Sequence, residues 1–179
     1  MKEVVLYILL MLTGKGYTIF RKTYEAHFVS LESSGPEVVD LSKIRFLGRD
    51  HRANGTVELM EDLDNHFTIS AESFLDPNGD GEYKQLPFSA PIQELCKSMN
   101  SYWSYIERSL KYGENTNFPS DTRPCPLPKG TFWFKDVLID TDAWPTMLPR
   151  GYAKGVVKLF KRGKYMGNAT VVAHITNIS

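Results

Sequence analysis

The stretch Phe67-Thr68-Ile69-Ser70-Ala71 decides the fold, because apolar side chains alternate in it with polar ones. A period of two residues places Phe67, Ile69 and Ala71 on one face of an extended strand and the polar side chains on the other. The same alternation recurs in segments 24–28, 44–46, 57–59, 157–159 and 171–175. Short alternating segments separated by turn residues predict a mainly β protein, either a sandwich or a barrel.

Two sets of turn residues separate predicted strands. Lys161-Arg162-Gly163-Lys164 predicts a hairpin near the C-terminus. Asp76-Pro77-Asn78-Gly79-Asp80-Gly81 imitates the start of an EF-hand calcium loop, but Pro87 stands where that loop needs a bidentate glutamate. We therefore interpret this segment as a tight turn in which glycines supply positive φ angles.

One stretch, from Pro91 to Tyr112, has a helical period instead. Its apolar residues are spaced by three and four positions and are Ile92, Leu95, Cys96, Met99, Tyr102, Trp103, Ile106 and Leu110. This spacing predicts one amphipathic helix of about five turns, packed over or beside the sheets. Pro91 suits its first turn and Gly113 its C-terminal cap.

A proline-rich loop, residues 115–130, leads into the aromatic segment Thr131-Phe132-Trp133-Phe134. The prolines exclude this loop from the centre of a sheet. Aromatic side chains on both faces predict a strand that is buried on both sides or has one face lining an apolar cavity. An ordinary core strand is the more frequent case for such an apolar run.

Size and charge restrict the class of protein. The chain has 179 residues, a length that fits one domain. Lys plus Arg and Asp plus Glu each number 21, so the formal net charge is zero. A neutral chain lacks the broad positive field that nucleic-acid binding usually requires, so we expect no nucleic-acid partner.

The N-terminus has the pattern of a secretory signal peptide. Lys2 is followed by an unbroken apolar run, residues 4–12, and then by small residues up to Gly16. The alternative is a membrane anchor, but the run is much shorter than the ~20 residues that span a bilayer, and no later stretch reaches that length. We expect residues 1–16 to be cleaved, leaving 17–179 as a single secreted, extracellular domain.

Secretion bears on the cysteines and on three asparagines. Cys96 and Cys125 are the two cysteines, and a pair of thiols in a secreted chain usually forms a disulfide. Two buried free thiols are the alternative; zinc is not expected, because no CxxC pair or histidine cluster accompanies them. Asn54 and Asn168 begin acceptor triplets for N-glycosylation in or beside predicted turns, whereas the triplet at Asn177 ends at the C-terminus and is weak.

Catalytic motifs are absent from the sequence. The histidines are His27, His51, His66 and His174, and none lies in a recognisable motif. There is no nucleophile elbow, zinc-protease helix, P-loop or dinucleotide fingerprint. Asp136, Asp140 and Asp142 cluster near a strand end, where carboxylates usually form turns. We therefore expect no enzymatic activity, no cofactor and no metal site.

The sequence resembles a known group of proteins in the run CPLPKGTFWFKDVLID, residues 125–140, followed by Trp144-Pro145 and Leu148-Pro149-Arg150-Gly151. Further similarity lies in residues 55–64 and 109–113. These motifs resemble insect secreted proteins of the domain-of-unknown-function 1091 class, and within it the chemosensory CheA proteins. Those proteins belong with the MD-2-related, ganglioside-activator-like lipid-recognition proteins.

The resemblance implies a two-sheet antiparallel β-sandwich whose sheets separate to hold a lipid or a cuticular-hydrocarbon pheromone in contact chemosensation. The sequence departs from the ganglioside activators, which have several disulfides where this chain can form one. Inward-facing large residues are the candidates for the cavity wall, with ordinary core as the alternative for each: Phe28, Phe46, Leu59, Phe67, Ile69, Met99, Trp103, Phe132, Phe134, Val157 and Leu159.

A second function fits the same class of fold. MD-2-like proteins show that such a domain can serve a receptor, so the alternative is an extracellular interaction module or accessory subunit, without lipid, for a chemosensory receptor or channel. A dry cavity of several hundred Å³ would favour the carrier. A filled core with a large exposed apolar patch would favour the module.

Overall fold

A computed structural model describes residues 22–35 and 38–178. The strands are β1 (Tyr24–Ser34), β2 (Val39–Asp40), β3 (Arg45–Leu47), β4 (Arg52–Leu59), β5 (Phe67–Asp76), β6 (Lys84–Glu94), β7 (Gly130–Val137), β8 (Gly151–Lys161) and β9 (Lys164–Asn177). An α-helix, α1 (Leu95–Tyr102), lies between β6 and β7. The expected signal peptide, residues 1–16, lies outside the described residues.

The strands form two antiparallel sheets, as the sequence and the resemblance predicted. The first has five strands in the order β1-β9-β8-β5-β6. In the second, β4 pairs with β2 and β3 and also with β7. The register places Ile69 of β5 opposite Leu159 of β8, and Ala71 opposite Val157. The apolar face of each strand is thereby aligned with its neighbour's, and a β-sandwich results.

Both predicted turns are present. Arg162 and Gly163 connect β8 to β9. At the end of β5 the buried carboxylate of Asp76 accepts backbone N–H bonds from Gly79 at 2.7 Å and Gly81 at 2.8 Å, with further bonds from residues 78 and 80. The glycines have φ angles of 72° and 91°. The carboxylate therefore closes a tight turn with the backbone that follows it, as the sequence predicted.

The helix predicted over residues 91–112 is much shorter than expected. Strand β6 continues to Glu94, because Gln93 and Glu94 pair with Ile69 and Thr68 of β5. After α1 the chain forms two short 3-10 helices, Trp103–Tyr105 and Glu107–Ser109. Aromatic and β-branched side chains lose rotamer freedom in an α-helix, which disfavours its continuation through this segment.

The predicted disulfide joins Cys96 to Cys125, with their Cα atoms 5.7 Å apart. This separation lies within the ordinary range for a disulfide. Cys96 is the second residue of α1 and Cys125 lies in the loop before β7. The bond therefore ties the helix to the loop that delivers the aromatic strand.

Within residues 22–35 and 38–178, many of the buried apolar side chains belong to one of two clusters. The larger, which we call the packed core, contains Val38, Leu59, Leu63, Phe67, Leu95, Leu127 and Phe132. The smaller contains Tyr24, Ala26 and Ile175. Among the described residues, no helix is both long and apolar enough to span a membrane.

Candidate ligand-binding cavity

A cavity of about 820 Å³ lies inside the sandwich. Strands β5 and β8 supply Ile69, Ala71 and Val157, and edge strand β6 supplies Leu86 and Phe88. Helix α1, the 3-10 segment and residues 144–149 complete the wall. We call this space the large cavity; its volume is that of a typical small-molecule site.

The wall of the large cavity is almost entirely apolar. Glu72 is its one charged lining residue, and its carboxylate pairs with Lys158 at 2.8 Å. Lys158 alternates with Val157, which lines the cavity, so this pair lies toward the outer face of the sheet. Ser98 is buried, and its hydroxyl makes no hydrogen bond to any part of the chain that the structure describes. The cavity therefore suits a hydrocarbon better than a charged ligand.

The large cavity opens beside the edge strand β6. Phe88 on this strand is 53% exposed, and Ile106, which lines the same cavity from between the two 3-10 helices, is 47% exposed. An edge strand has no neighbour on its outer side, and β6 accommodates Pro87 and Pro91 there. The cavity therefore has an apolar mouth between β6 and the 3-10 helices.

A second space, the small cavity of about 170 Å³, lies toward the other edge of the five-stranded sheet. Its lining residues carry only hydrocarbon side chains and are Phe28, Leu31, Ile44, Phe46, Ala53, Val57, Leu110, Phe134, Val137 and Val171. The rings of Phe28 and Phe46 stack with centroids 5.0 Å apart. Leu110 and Phe134 line both cavities and stand between them.

The structure divides the predicted wall residues into three groups. Those lining the large cavity are Ile69, Met99, Trp103, Phe134 and Val157. Phe28 and Phe46 line the small cavity. Leu59, Phe67 and Phe132 instead belong to the packed core, and Leu159 packs against it. These last four pack with Leu95 of α1 and with Leu127 of the loop before β7, which is the packing that ordinary core residues have.

Several wall residues were missed by sequence reasoning. Leu86, Phe88 and Ala90 alternate with polar residues or proline, a period-two signal that predicts a strand. This alternating pattern lies directly before residues 91–112, whose spacing predicts a long helix. Trp144 and Leu148 also line the cavity, from a segment with no periodic pattern, where only the family motif marked them.

The two candidate glycosylation sites differ in their hydrogen bonds. The amide nitrogen of Asn54 donates to the Arg52 carbonyl at 3.2 Å and to Asp136 at 3.4 Å, and its oxygen accepts from the Asp136 N–H. The oxygen of Asn168 accepts from the Ser34 hydroxyl at 2.6 Å, whereas no bond from its amide nitrogen is found within the described residues. The side-chain amide nitrogen of Asn168 is therefore more available than that of Asn54 for attachment of a sugar.

The titratable residues named from the sequence make separate local contacts. His66 bonds Asp64 at 2.7 Å, and this hydrogen bond lowers the pKa of the Asp64 carboxyl. His174 stacks on Tyr152, with ring centroids 4.3 Å apart. Arg108 binds Asp140 and Asp142 in a surface ion pair. Residues 22–35 and 38–178 contain no group of three or more His, Cys, Asp or Glu placed to hold a metal ion.

The part of the chain that supplies much of the cavity wall matches a protein family. Residues 68–154 match a family described as "Protein of unknown function (DUF1091)". The chain is similar to DUF1091 proteins. The matched segment runs from β5 into β8 and includes β6, α1 and β7, which supply much of the cavity wall. No curated protein matches the chain significantly.

Proposed function

We propose that this protein is a secreted carrier of an apolar small molecule, a lipid or cuticular-hydrocarbon pheromone, in insect contact chemosensation. The observation that carries the proposal is the large cavity, about 820 Å³ of space with an apolar wall and an apolar mouth. The resemblance to CheA-type and MD-2-related proteins supports the choice of ligand. The motifs of that resemblance at residues 125–151 lie within the segment similar to DUF1091 proteins.

The physical basis of binding is the transfer of alkyl groups from water to the cavity. Each buried CH₂ contributes about 0.8 kcal/mol, so a long chain gains affinity without a polar anchor. Such a site needs shape and an apolar surface, and no catalytic group. We propose that the protein acts by binding alone.

The second candidate is an extracellular interaction module or receptor accessory subunit. It is favoured by the exposed apolar side chains Met147 and Ile92, which are 77% and 61% exposed. A module that carries no lipid has no use for a large internal space, however, because an unfilled cavity lowers stability. The carrier is therefore the better supported of the two.

The first experiment is recovery of native cargo. The protein is secreted from insect cells, purified without detergent, extracted with organic solvent and examined by mass spectrometry. We expect long-chain lipid or hydrocarbon in near-stoichiometric amount, with little in a mock purification.

The second experiment fills the cavity by substitution. Ala71 lines the large cavity, and Ser70 is its neighbour on the opposite face of β5. We expect Ala71→Phe to weaken binding of an apolar fluorescent dye at least about tenfold, because its ring occupies ligand space, and Ser70→Phe to leave binding unchanged. Equal dye binding by both variants, with no extractable cargo, would rule out the carrier and leave the interaction module.

A further inference from the structure

The two cavities are separated by two side chains. Leu110 and Phe134 are the residues that line both spaces among those the structure describes. The large cavity lies over β6, β5 and β8, and the small cavity reaches β9 and β1 through Val171 and Phe28. Together they follow one line across the five-stranded sheet, from its β6 edge to its β1 edge.

We propose that Leu110 and Phe134 form a partition that sets the longest alkyl chain the protein accepts. This inference rests on the proposed carrier function and specifies how its ligand lies. Where the ligand has a polar end, that end remains near the mouth, and in every case an alkyl end points inward to the partition. Chains too long for the large cavity are excluded unless the partition opens into the small cavity.

The distribution of polar groups orients the ligand. The Tyr102 and Tyr105 side chains line the large cavity and are 37% and 41% exposed at its mouth. The small cavity is lined by hydrocarbon side chains alone. A hydroxyl, ester or carboxyl group buried there would lose its hydrogen bonds to water without replacement, whereas a methyl end would lose nothing.

The partition consists of side chains held on well-fixed backbone. Phe134 of β7 lies opposite Gly55 of β4, and a Cβ at Gly55 would lie 2.1 Å from the Lys43 carbonyl oxygen. The carbonyl of Leu110 accepts from the Ser120 hydroxyl at 3.1 Å, and its N–H donates to the Glu107 carbonyl at 3.2 Å. Shortening either side chain should therefore join the two cavities without moving a strand.

The test compares chain-length preference between two matched leucine truncations. Leu110→Ala shortens the partition, and Leu86→Ala makes the same deletion in the large cavity away from it. Each protein is incubated with an equimolar mixture of straight-chain primary alcohols of increasing length and freed of unbound ligand by gel filtration. The bound alcohols are extracted and quantified by gas chromatography.

We expect the preferred length to be longer in Leu110→Ala than in wild type, and to shift less in Leu86→Ala, which enlarges the large cavity without joining it to the small one. Each additional CH₂ admitted should raise relative affinity about fourfold, equivalent to about 0.8 kcal/mol. Val171→Phe fills the small cavity from β9, so in the Leu110→Ala background it should restore the wild-type preference. Should Leu110→Ala fail to fold, Leu110→Val should give a smaller shift in the same direction.

The outcomes separate the two proposals. If wild type retains alcohols but Leu110→Ala has the same length preference as wild type, the partition is overturned and the carrier function stands. The same holds if Leu86→Ala shifts the length preference as much as Leu110→Ala does. Failure of wild type to retain any alcohol would overturn the carrier function and the partition with it.

Discussion

Phe132 and Phe134 lie two residues apart on the same face of β7, yet their surroundings differ. Phe132 is 7% exposed and belongs to the packed core, where its ring meets that of Phe118 edge to face at 5.2 Å. Phe134 is half-buried and stands between the two cavities. Alternation along a strand therefore decides which face a side chain occupies, but not whether that face is filled.

The difference arises from what covers each residue. Over Phe132 the sandwich is closed by Leu95 of α1 and by Leu127, whose backbone pairs with Leu63 through two 2.9 Å hydrogen bonds. Beyond that point the α-helix ends at Tyr102, and the two short 3-10 helices, Trp103–Tyr105 and Glu107–Ser109, follow it. The disulfide lies at the closed end, so the bond and the packed core support the same part of the molecule.

The largest expected effect is the stability difference between two alanine variants of this strand. Phe132→Ala should lower the free energy of unfolding by about 3–5 kcal/mol, because it opens a void in a closed core. Phe134→Ala should cost clearly less, because space already exists on both sides of that ring. Chemical denaturation of each variant measures the difference.

The order of the two alanine variants should be reversed when ligand binding is measured instead of stability. Displacement of an apolar dye by a short-chain alcohol should be weakened in Phe134→Ala, which loses wall contact, and little changed in folded Phe132→Ala. Equal stability losses with unchanged binding in Phe134→Ala would show that Phe134 is ordinary core and would remove the contrast.

Sequence patterns predicted the faces of the strands well, for a physical reason. Ile69, Val157 and Phe134 face inward as alternation required, because side-chain direction in a strand is a local property. The turn at Asp76 and the hairpin at Gly163 were also local, and were predicted correctly.

Properties that depend on distant partners were predicted less well. Residues 91–94 have a helical apolar pattern but form strand, because β5 offers backbone partners to Gln93 and Glu94. The alternating pattern could not distinguish Leu59 and Phe67, which are buried in the packed core, from Ile69, which packs against that core and lines the large cavity. The location of empty space inside a sandwich is a tertiary property.

The next effect concerns the disulfide that holds the closed end. Removing the bond between α1 and the loop before β7 by Cys96→Ser should lower the free energy of unfolding by roughly 2–5 kcal/mol. Because Met99 and Trp103 follow Cys96 and line the large cavity, dye binding should weaken as well. Cys96→Ser/Cys125→Ser serves as a control that excludes effects of a lone thiol. A double variant with wild-type stability would show that packing alone closes this end.

A smaller effect is expected from pH at the turn after β5. Burial acts to raise the pKa of Asp76, but backbone hydrogen bonds from Gly81, Gly79 and their neighbours outweigh it and hold the pKa below its ordinary value of 3.8. The ionised carboxylate therefore stabilises the fold above that value, and this contribution is lost as pH falls through the lowered folded pKa. The melting-temperature gap between wild type and Asp76→Asn should be wide at neutral pH and should narrow in acid. Asp80→Asn, in the same turn, is the control; a gap independent of pH would contradict the role of the charge.

The smallest effect on the interior should come from a glycan on the outer face. Asn168 and Val171 are three residues apart on β9, so they point to opposite faces, and Val171 lines the small cavity. On secretion from insect cells we expect Asn168 to carry sugar more completely than Asn54, whose amide nitrogen already donates two hydrogen bonds. Intact-mass measurement before and after glycosidase treatment, repeated with Asn168→Gln and Asn54→Gln, assigns the sites.

Asn168→Gln should change the free energy of unfolding by no more than about 0.5 kcal/mol. Removal of the sugar should leave dye binding unchanged, because a glycan outside the sheet does not alter the cavity inside it. A mass that glycosidase does not change would count against secretion, and weaker dye binding after deglycosylation would show that the outer face and the cavity are not independent.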